Sequence, residues 1–261
     1  MINLLKKYKY TIGTDVQVVY TSSSVTGLLN GTYDVISVMT HTELAQLLQS
    51  VNPSTKKLYS IDDLNIIDLN TEATAMLEDG VFVSSSFLSD SLNQNGLVRF
   101  LRASLKGWIY CRENEIDCVE YVHSRASNVS STDQLWRMHE VNKLIWPSPT
   151  GLAVMNPSSY SNTVQLALSS GLIHSNPGTT PIVETYAVLA LDTLRNDYDV
   201  FGNSFVSTYL HMCVNSRNQL KMAANATLQL SGKHKSQFAG YYAAVNQGYF
   251  NDECLTLVIN V

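Results

Sequence analysis

The side chains best placed for chemistry sit at two loop-to-helix junctions. In the first, residues 38–44 (VMTHTEL), Met39, Thr40, His41 and Glu43 follow a β-branched run and open a helix. A hydroxyl, an imidazole and a carboxylate there lie where a helix N-terminus offers unpaired N–H groups and a positive dipole end. Open α/β sheets hold their ligands at this position. In the second, residues 232–242 (GKHKSQFAGYY), Ser236 and Gln237 can cap or bind, and Phe238, Tyr241 and Tyr242 offer aromatic faces to a planar ligand. Each group also has a plainer role. Thr40 serves equally as an N-cap worth about 1 kcal/mol, and Phe238 and Tyr241 serve as helix packing.

Other catalytic patterns are missing from the sequence. It holds no GxSxG, GxGxxG, P-loop or HExxH, and the nearest approach, residues 139–143 (HEVNK), has a lysine where the second zinc ligand would stand. The six histidines are dispersed, which reads as surface or structural use. Glu78 and Asp79 are adjacent in an apolar run, so at least one must reach a polar partner or solvent; a general acid is the alternative role. The four cysteines show no CxxC spacing. Cys111 and Cys118 lie across the Glu113-Asn114 break between two expected helices. They can pair only if that break folds the helices together, because on one continuous helix they would be about 10 Å apart.

Composition narrows the classes further. With 261 residues and 45% hydrophobic content the chain can bury a sizeable core. Charged residues are only 15%, the net charge is −5, and the 17 Lys and Arg are scattered, so no basic stripe exists to meet a phosphate backbone and nucleic acid is not expected as a partner. No apolar run reaches the roughly 18–20 residues of a membrane span. The opening MINLLKKYKYTIGTD lacks the apolar region of a signal peptide, which points to a cytosolic chain or to a true start elsewhere. Asn30, Asn128 and Asn225 head N-x-S/T triplets that would accept glycans in a secreted chain.

The elements that must position the two junctions follow from periodicity. Strands are expected at residues 15–20, 34–39 and 64–69, and short helices at 23–29, ended by Asn30-Gly31, and at 43–49, broken by Asn52-Pro53. Residues 93–111 place Leu97, Phe100, Leu101, Leu105, Trp108 and Ile109 on one face of a helix. Further helices are expected at 115–123, 132–145, 160–170 and 182–195. A strand at 227–230, a helix at 238–247 closed by Gly248, and a strand at 255–261 complete the chain. A terminal apolar strand is a poor sheet edge, so a further segment is expected after it.

The stretches LLNGTYDVISVMTHTELAQLLQ, NPSTKKLYSIDDLNIIDLN, AMLEDGVFV, LVRFLRASLKGWIYCREN and WRMHEVNKLIWPSPTGLAVM, followed by GLI at 171–173, carry a resemblance. They resemble, in order, the second half of the SsuA-like and thiamine-pyrimidine-synthase family, and they cover residues 1 to about 195. The C-terminal TLQLSGKHKSQFAGYYAAVNQGYFNDECLTLVINV resembles the opening strand, helix and strand of the same family. The resemblance implies an α/β fold of the periplasmic-binding-protein type II class, two-lobed, with the first lobe largely incomplete. It divides the chain into 1–196 (second part of one domain), 197–224 (connector) and 225–261 (opening of a second or permuted copy). In one arrangement the chain is a window across two tandem copies, whose ends need not share a cleft. In the other, a permuted packing sets the last strand in the sheet of the first lobe.

The function the resemblance implies is binding of a small heteroaromatic solute, such as a thiamine-pyrimidine precursor or riboflavin, with no bond made or broken. The ligand contacts would come from Met39, Thr40, His41, Glu43, Ser236, Gln237, Phe238 and Tyr241, with no cofactor, and a membrane transporter or receptor as partner. That role suits an extracellular or periplasmic address within a longer protein. The alternative is a cytosolic thiamine pyrimidine synthase that uses histidine and pyridoxal phosphate with iron. Its lysine, histidine and cysteine-rich stretch match nothing in this sequence, so binding is favoured and no catalytic or metal residue is assigned.

Overall fold

In the computed structural model, the structure describes residues 1–20, 24–128, 130–179, 182–194 and 224–261. The helices are α1 (Ile2–Lys7), α2 (Thr26–Leu29), α3 (Glu43–Leu48), α4 (Ser91–Glu113), α5 (Glu115–His123), α6 (Ser131–Ile145), α7 (Pro157–Ser170), α8 (Thr185–Leu194), α9 (Ala239–Asn246) and α10 (Tyr249–Asp252). Two strands, β1 (Ala224–Gln229) and β2 (Leu255–Asn260), pair in parallel with Ala224 opposite Leu255 and Gln229 opposite Asn260. The fold is mixed α/β, about 48% helical and 7% strand among the described residues, so helix packing rather than a central sheet carries most of their burial. No described helix is long and apolar enough to cross a membrane. The connector expected at 197–224 lies outside the described residues apart from Ala224, as do Ser23 and Arg195 at the ends of two expected helices.

The chain forms two compact units, each assembled from separated segments: Met1–Gly80 with Met155–Ile182, and Val81–Val154 with Val183–Val261. In the first, α1 is tied to α7 by polar bonds: Asn3 Nδ2 donates to the Leu166 carbonyl at 3.0 Å, and Ser169 Oγ donates to Asn3 Oδ1 at 2.7 Å. Helix α7 starts where Asn156 Oδ1 accepts the Ser159 N–H at 2.9 Å with Pro157 just inside, and it stops at Gly171, whose φ of +79° only glycine adopts without strain. Among the described residues of this first unit, Val25, Ala45, Leu47, Val164 and Ala167 are buried apolar side chains.

The strands expected at 15–20, 34–39 and 64–69 do not form. Those segments run as irregular chain, with Val19 61% and Val35 71% exposed. A β-branched run becomes a strand only by pairing, since its backbone groups need a neighbour's. Among the described residues these runs have no ladder to join; Val16 contributes only a single bridge to Ile12.

The second unit holds the main core around α4. Asp90 caps that helix by accepting the Leu92 N–H at 2.8 Å, and Leu97, Phe100, Leu101, Leu105 and Ile109 pack with Ala187, Ala190, Leu191 and Leu194 of α8 and with Tyr249, Phe250 and Leu255. A second cluster joins α5 and α6 to Phe238, Ala239, Tyr242 and Ala243. Asn114 (φ −131°, ψ 56°) breaks α4 from α5, and the break folds enough to bring Cys111 and Cys118 within 5.7 Å at Cα and bond them in a disulfide. Cys254 is disulfide-bonded as well.

The C-terminal segment 224–261 packs into the same unit as residues 81–154, with α9 lying along α4. Its anchor is electrostatic as well as apolar. Glu253, with a fully buried side chain, accepts from Arg102 Nε at 2.5 Å and from Arg102 Nη2, with Lys106 Nζ 3.9 Å away, and Arg99 Nη1 donates to its carbonyl at 2.8 Å. A carboxylate removed from water needs such charged partners to be tolerated.

Candidate functional site

The first junction lies in the first unit. Met39 and Thr40 are exposed and His41 is half-buried. The residue at the cap position is Thr42, not Thr40, and α3 behind it is only six residues long. Glu43 points back into the loop: its Oε2 accepts the Met39 N–H at 3.0 Å and the Thr42 hydroxyl. Its carboxylate therefore fixes the loop that presents Thr40 and His41, a positioning contact within the chain.

The second junction lies in the second unit and is used for packing. Ser236 is fully buried; its N–H donates to Gln134 Oε1 at 2.9 Å and its hydroxyl to the Gln134 carbonyl at 2.8 Å, which docks a 3-10 turn, Ser236–Phe238, on α6. Phe238 is buried in the core cluster, and Gln237 is half-buried. Tyr241 stacks on Phe100 with ring centres 6.1 Å apart and meets Trp108 edge-on at 6.3 Å. The plainer reading of these aromatics, helix packing, describes where they sit.

Beside them Tyr242, the third aromatic of this junction, sits in a polar cluster with His234 and Arg125, which residue spacing does not single out. Tyr242 is buried, its hydroxyl 2.8 Å from His234 Nδ1, with the Arg125 guanidinium 4.8 Å over its ring. Burial pushes the Tyr242 phenol up to about 12, against a smaller opposing pull from Arg125. Burial, then the Arg125 charge, hold His234 below the ordinary imidazole range. His234 is therefore a neutral structural partner at physiological pH.

The first unit also holds a cavity of about 170 Å³ between α7 and the segment 73–77. Asn70, Ser159 and Asn162 bring amide and hydroxyl groups to its wall, and Ala73, Met76 and Leu77 bring apolar surface. Two bonds hold the walls together: the Leu77 N–H donates to Thr163 Oγ1 at 2.9 Å, and Asn162 Nδ2 donates to the Ala75 carbonyl at 3.2 Å. Every lining side chain is neutral. The sequence carried a signal for this wall: Asn156-Pro157 is a helix start, and from it Ser159, Asn162 and Thr163 share one face at i, i+3 and i+4 spacing.

Glu78 and Asp79, next along that segment, are both exposed, and partial burial followed by the neighbouring Asp79 charge raise the Glu78 carboxyl above its ordinary range. Among the described residues, no group of three His, Cys, Asp or Glu side chains converges, and every described cysteine is disulfide-bonded. No family model, curated protein or solved structure matches the chain.

Proposed function

We propose that this chain is a binding module for a small uncharged heteroaromatic solute, of the kind represented by a thiamine-pyrimidine precursor or riboflavin. The fold class proposed with it is the two-lobed periplasmic-binding type II fold with an incomplete first lobe, which rests on the ordered motifs of the sequence. The observation that supports binding is the neutral cavity in the first unit. The carboxamides of Asn70 and Asn162 each use one N–H within the chain, on Asp68 Oδ1 at 3.4 Å and on the Ala75 carbonyl at 3.2 Å, and their oxygen and second N–H complement the exocyclic amine and ring nitrogen of an aminopyrimidine. Met76 and Leu77 supply the apolar surface a planar ring needs. In this reading Met39, Thr40 and His41 of the same unit contact ligand and Glu43 sets their loop. Ser236, Gln237, Phe238 and Tyr241 contribute by holding the second unit together. A transporter or receptor would be the partner that reads the bound state.

The test is a thermal-shift panel of pyrimidine precursors and riboflavin on the purified chain, repeated with Asn162→Leu. A ligand at 100 times its dissociation constant stabilises the native state by about 2.7 kcal/mol. The expected result is a shift with at least one compound that Asn162→Leu abolishes. No shift with any compound, or a shift that Asn162→Leu leaves intact, overturns the proposal.

A further inference from the structure

Two of the N-x-S/T triplets lie wholly within the described residues, and the structure presents both at the surface. Asn30 and Thr32 are exposed in the turn that ends α2, and Asn30 Oδ1 accepts the Thr32 N–H at 3.0 Å. That Asx turn occupies the amide oxygen and brings the asparagine and the hydroxyl-bearing residue close together. Asn225 and Thr227 lie on one face of β1, the exposed one, because alternate residues of a strand share a face. Gln229 on β1 and Thr256, Val258 and Asn260 on β2 are exposed on the same face, while Ala226 and Leu228 turn the other way and are half-buried. Parallel strands are usually covered on both faces by apolar layers, whereas five of the six side chains on this outer face are polar and Val258 alone is apolar.

A separate observation bears on compartment. Cys111 and Cys118 form a disulfide and Cys254 is disulfide-bonded. Such bonds form and persist in oxidising compartments, which is where asparagine in this triplet meets oligosaccharide donors.

We infer that Asn30 and Asn225 carry N-linked oligosaccharides acquired on a secretory route. The amide nitrogen of each asparagine attacks the anomeric carbon of a lipid-pyrophosphate-linked oligosaccharide. A carbon–nitrogen bond forms, the bond from that carbon to the pyrophosphate oxygen breaks, and the lipid pyrophosphate leaves with the electron pair. The amide proton passes to a base of the transferase, and nothing is oxidised or reduced. The glycan on Asn225 then covers the outer face of the β1–β2 pair, on which Val258 is exposed.

The test is intact-mass measurement and peptide mapping of the chain from its native source, before and after peptide-N-glycosidase. The expected mass exceeds the 28.9 kDa of the polypeptide and falls by two oligosaccharides on treatment, leaving aspartate at positions 30 and 225. Thr32→Ala and Thr227→Ala in the same host each lose one glycan, whereas Thr32→Ser and Thr227→Ser keep it. Unmodified asparagine at both positions in native material, or glycan at Asn128 alone, overturns the inference.

Discussion

Replacing Gly107 with alanine should separate two helices that the second unit needs in contact. Gly107 sits inside α4 where α9 crosses it, and a Cβ there would fall on the Gly240 carbonyl oxygen, well inside contact distance, and 2.9 Å from both N and Cβ of Ala244. These atoms belong to the body of α9, so no flexible side chain can swing aside; the helix itself must move. The reciprocal fit is as close, since a Cβ on Gly240 would overlap the Trp108 indole. Helix propensity favours alanine over glycine by about 0.5–1 kcal/mol. Overpacking a tight core costs about 1–3 kcal/mol, and contact with backbone puts this site toward the upper end. The net loss should be about 1–2 kcal/mol, a fall in Tm of roughly 2–8 °C for a unit of this size.

Gly96 on the same helix is the control. A Cβ there meets nothing within 4 Å, so Gly96→Ala gains the propensity term alone and should stabilise by about 0.5–1 kcal/mol. All three tryptophans, Trp108, Trp136 and Trp146, belong to the second unit, so urea unfolding followed by tryptophan fluorescence reports that unit by itself. The reasoning fails if Gly107→Ala leaves the midpoint unchanged or raises it, because α9 would then not lie against α4 as described.

Two further outcomes follow from the charges of the second unit. Glu253→Gln removes the buried carboxylate that Arg102 meets through Nε and Nη2 and should cost about 3–5 kcal/mol in the same fluorescence assay; an unchanged midpoint would show that water reaches the pair. The His234–Tyr242 pair should set pH limits. His234 is held below its ordinary range, so the unfolded chain binds the proton first and stability falls as pH drops through about 6.5 and on through the lower folded value. Tyr242 is raised to about 12, so its contribution is whole below about pH 10 and is lost as pH rises toward 12. His234→Gln should flatten the acid limb of midpoint against pH, and an unaltered limb would contradict the assignment.

The helices were the legible part. Six apolar residues of α4 at helical spacing predict residues 93–111, and the observed Ser91–Glu113 runs two residues further at each end, from the Asp90 cap to the break at Asn114. The expected helix at 160–170 begins three residues earlier, at its own cap, Asn156-Pro157. Helix signals are local, and so are their caps. Strands need partners, and nothing in the composition of DVQVVY or DVISVM says whether a neighbour is in place; only 227–230 and 255–261 found each other, as β1 and β2. The packing of the second junction was hidden for a related reason. SQFAGYY has the residue types of an aromatic site, but Gln134, some hundred residues earlier, takes up Ser236, and Phe100 takes up Tyr241. Such distant partners leave no trace in local spacing. The disulfide was legible as a condition, and the backbone turn at Asn114 meets it.

The packing of α9 on α4 also has a meaning during synthesis. Ile109 leaves the ribosome 130 residues before Ala239 does, which at about 5–20 residues per second is a wait on the order of ten seconds. Through that interval the part of the α4 face that Ala244, Tyr249, Phe250 and Leu255 cover has no partner yet, although Leu152 and α8 are made earlier. A nascent chain stalled between α8 and β1 presents that part to its neighbours, and holding chaperones or slow growth at low temperature should decide how much of the protein escapes aggregation.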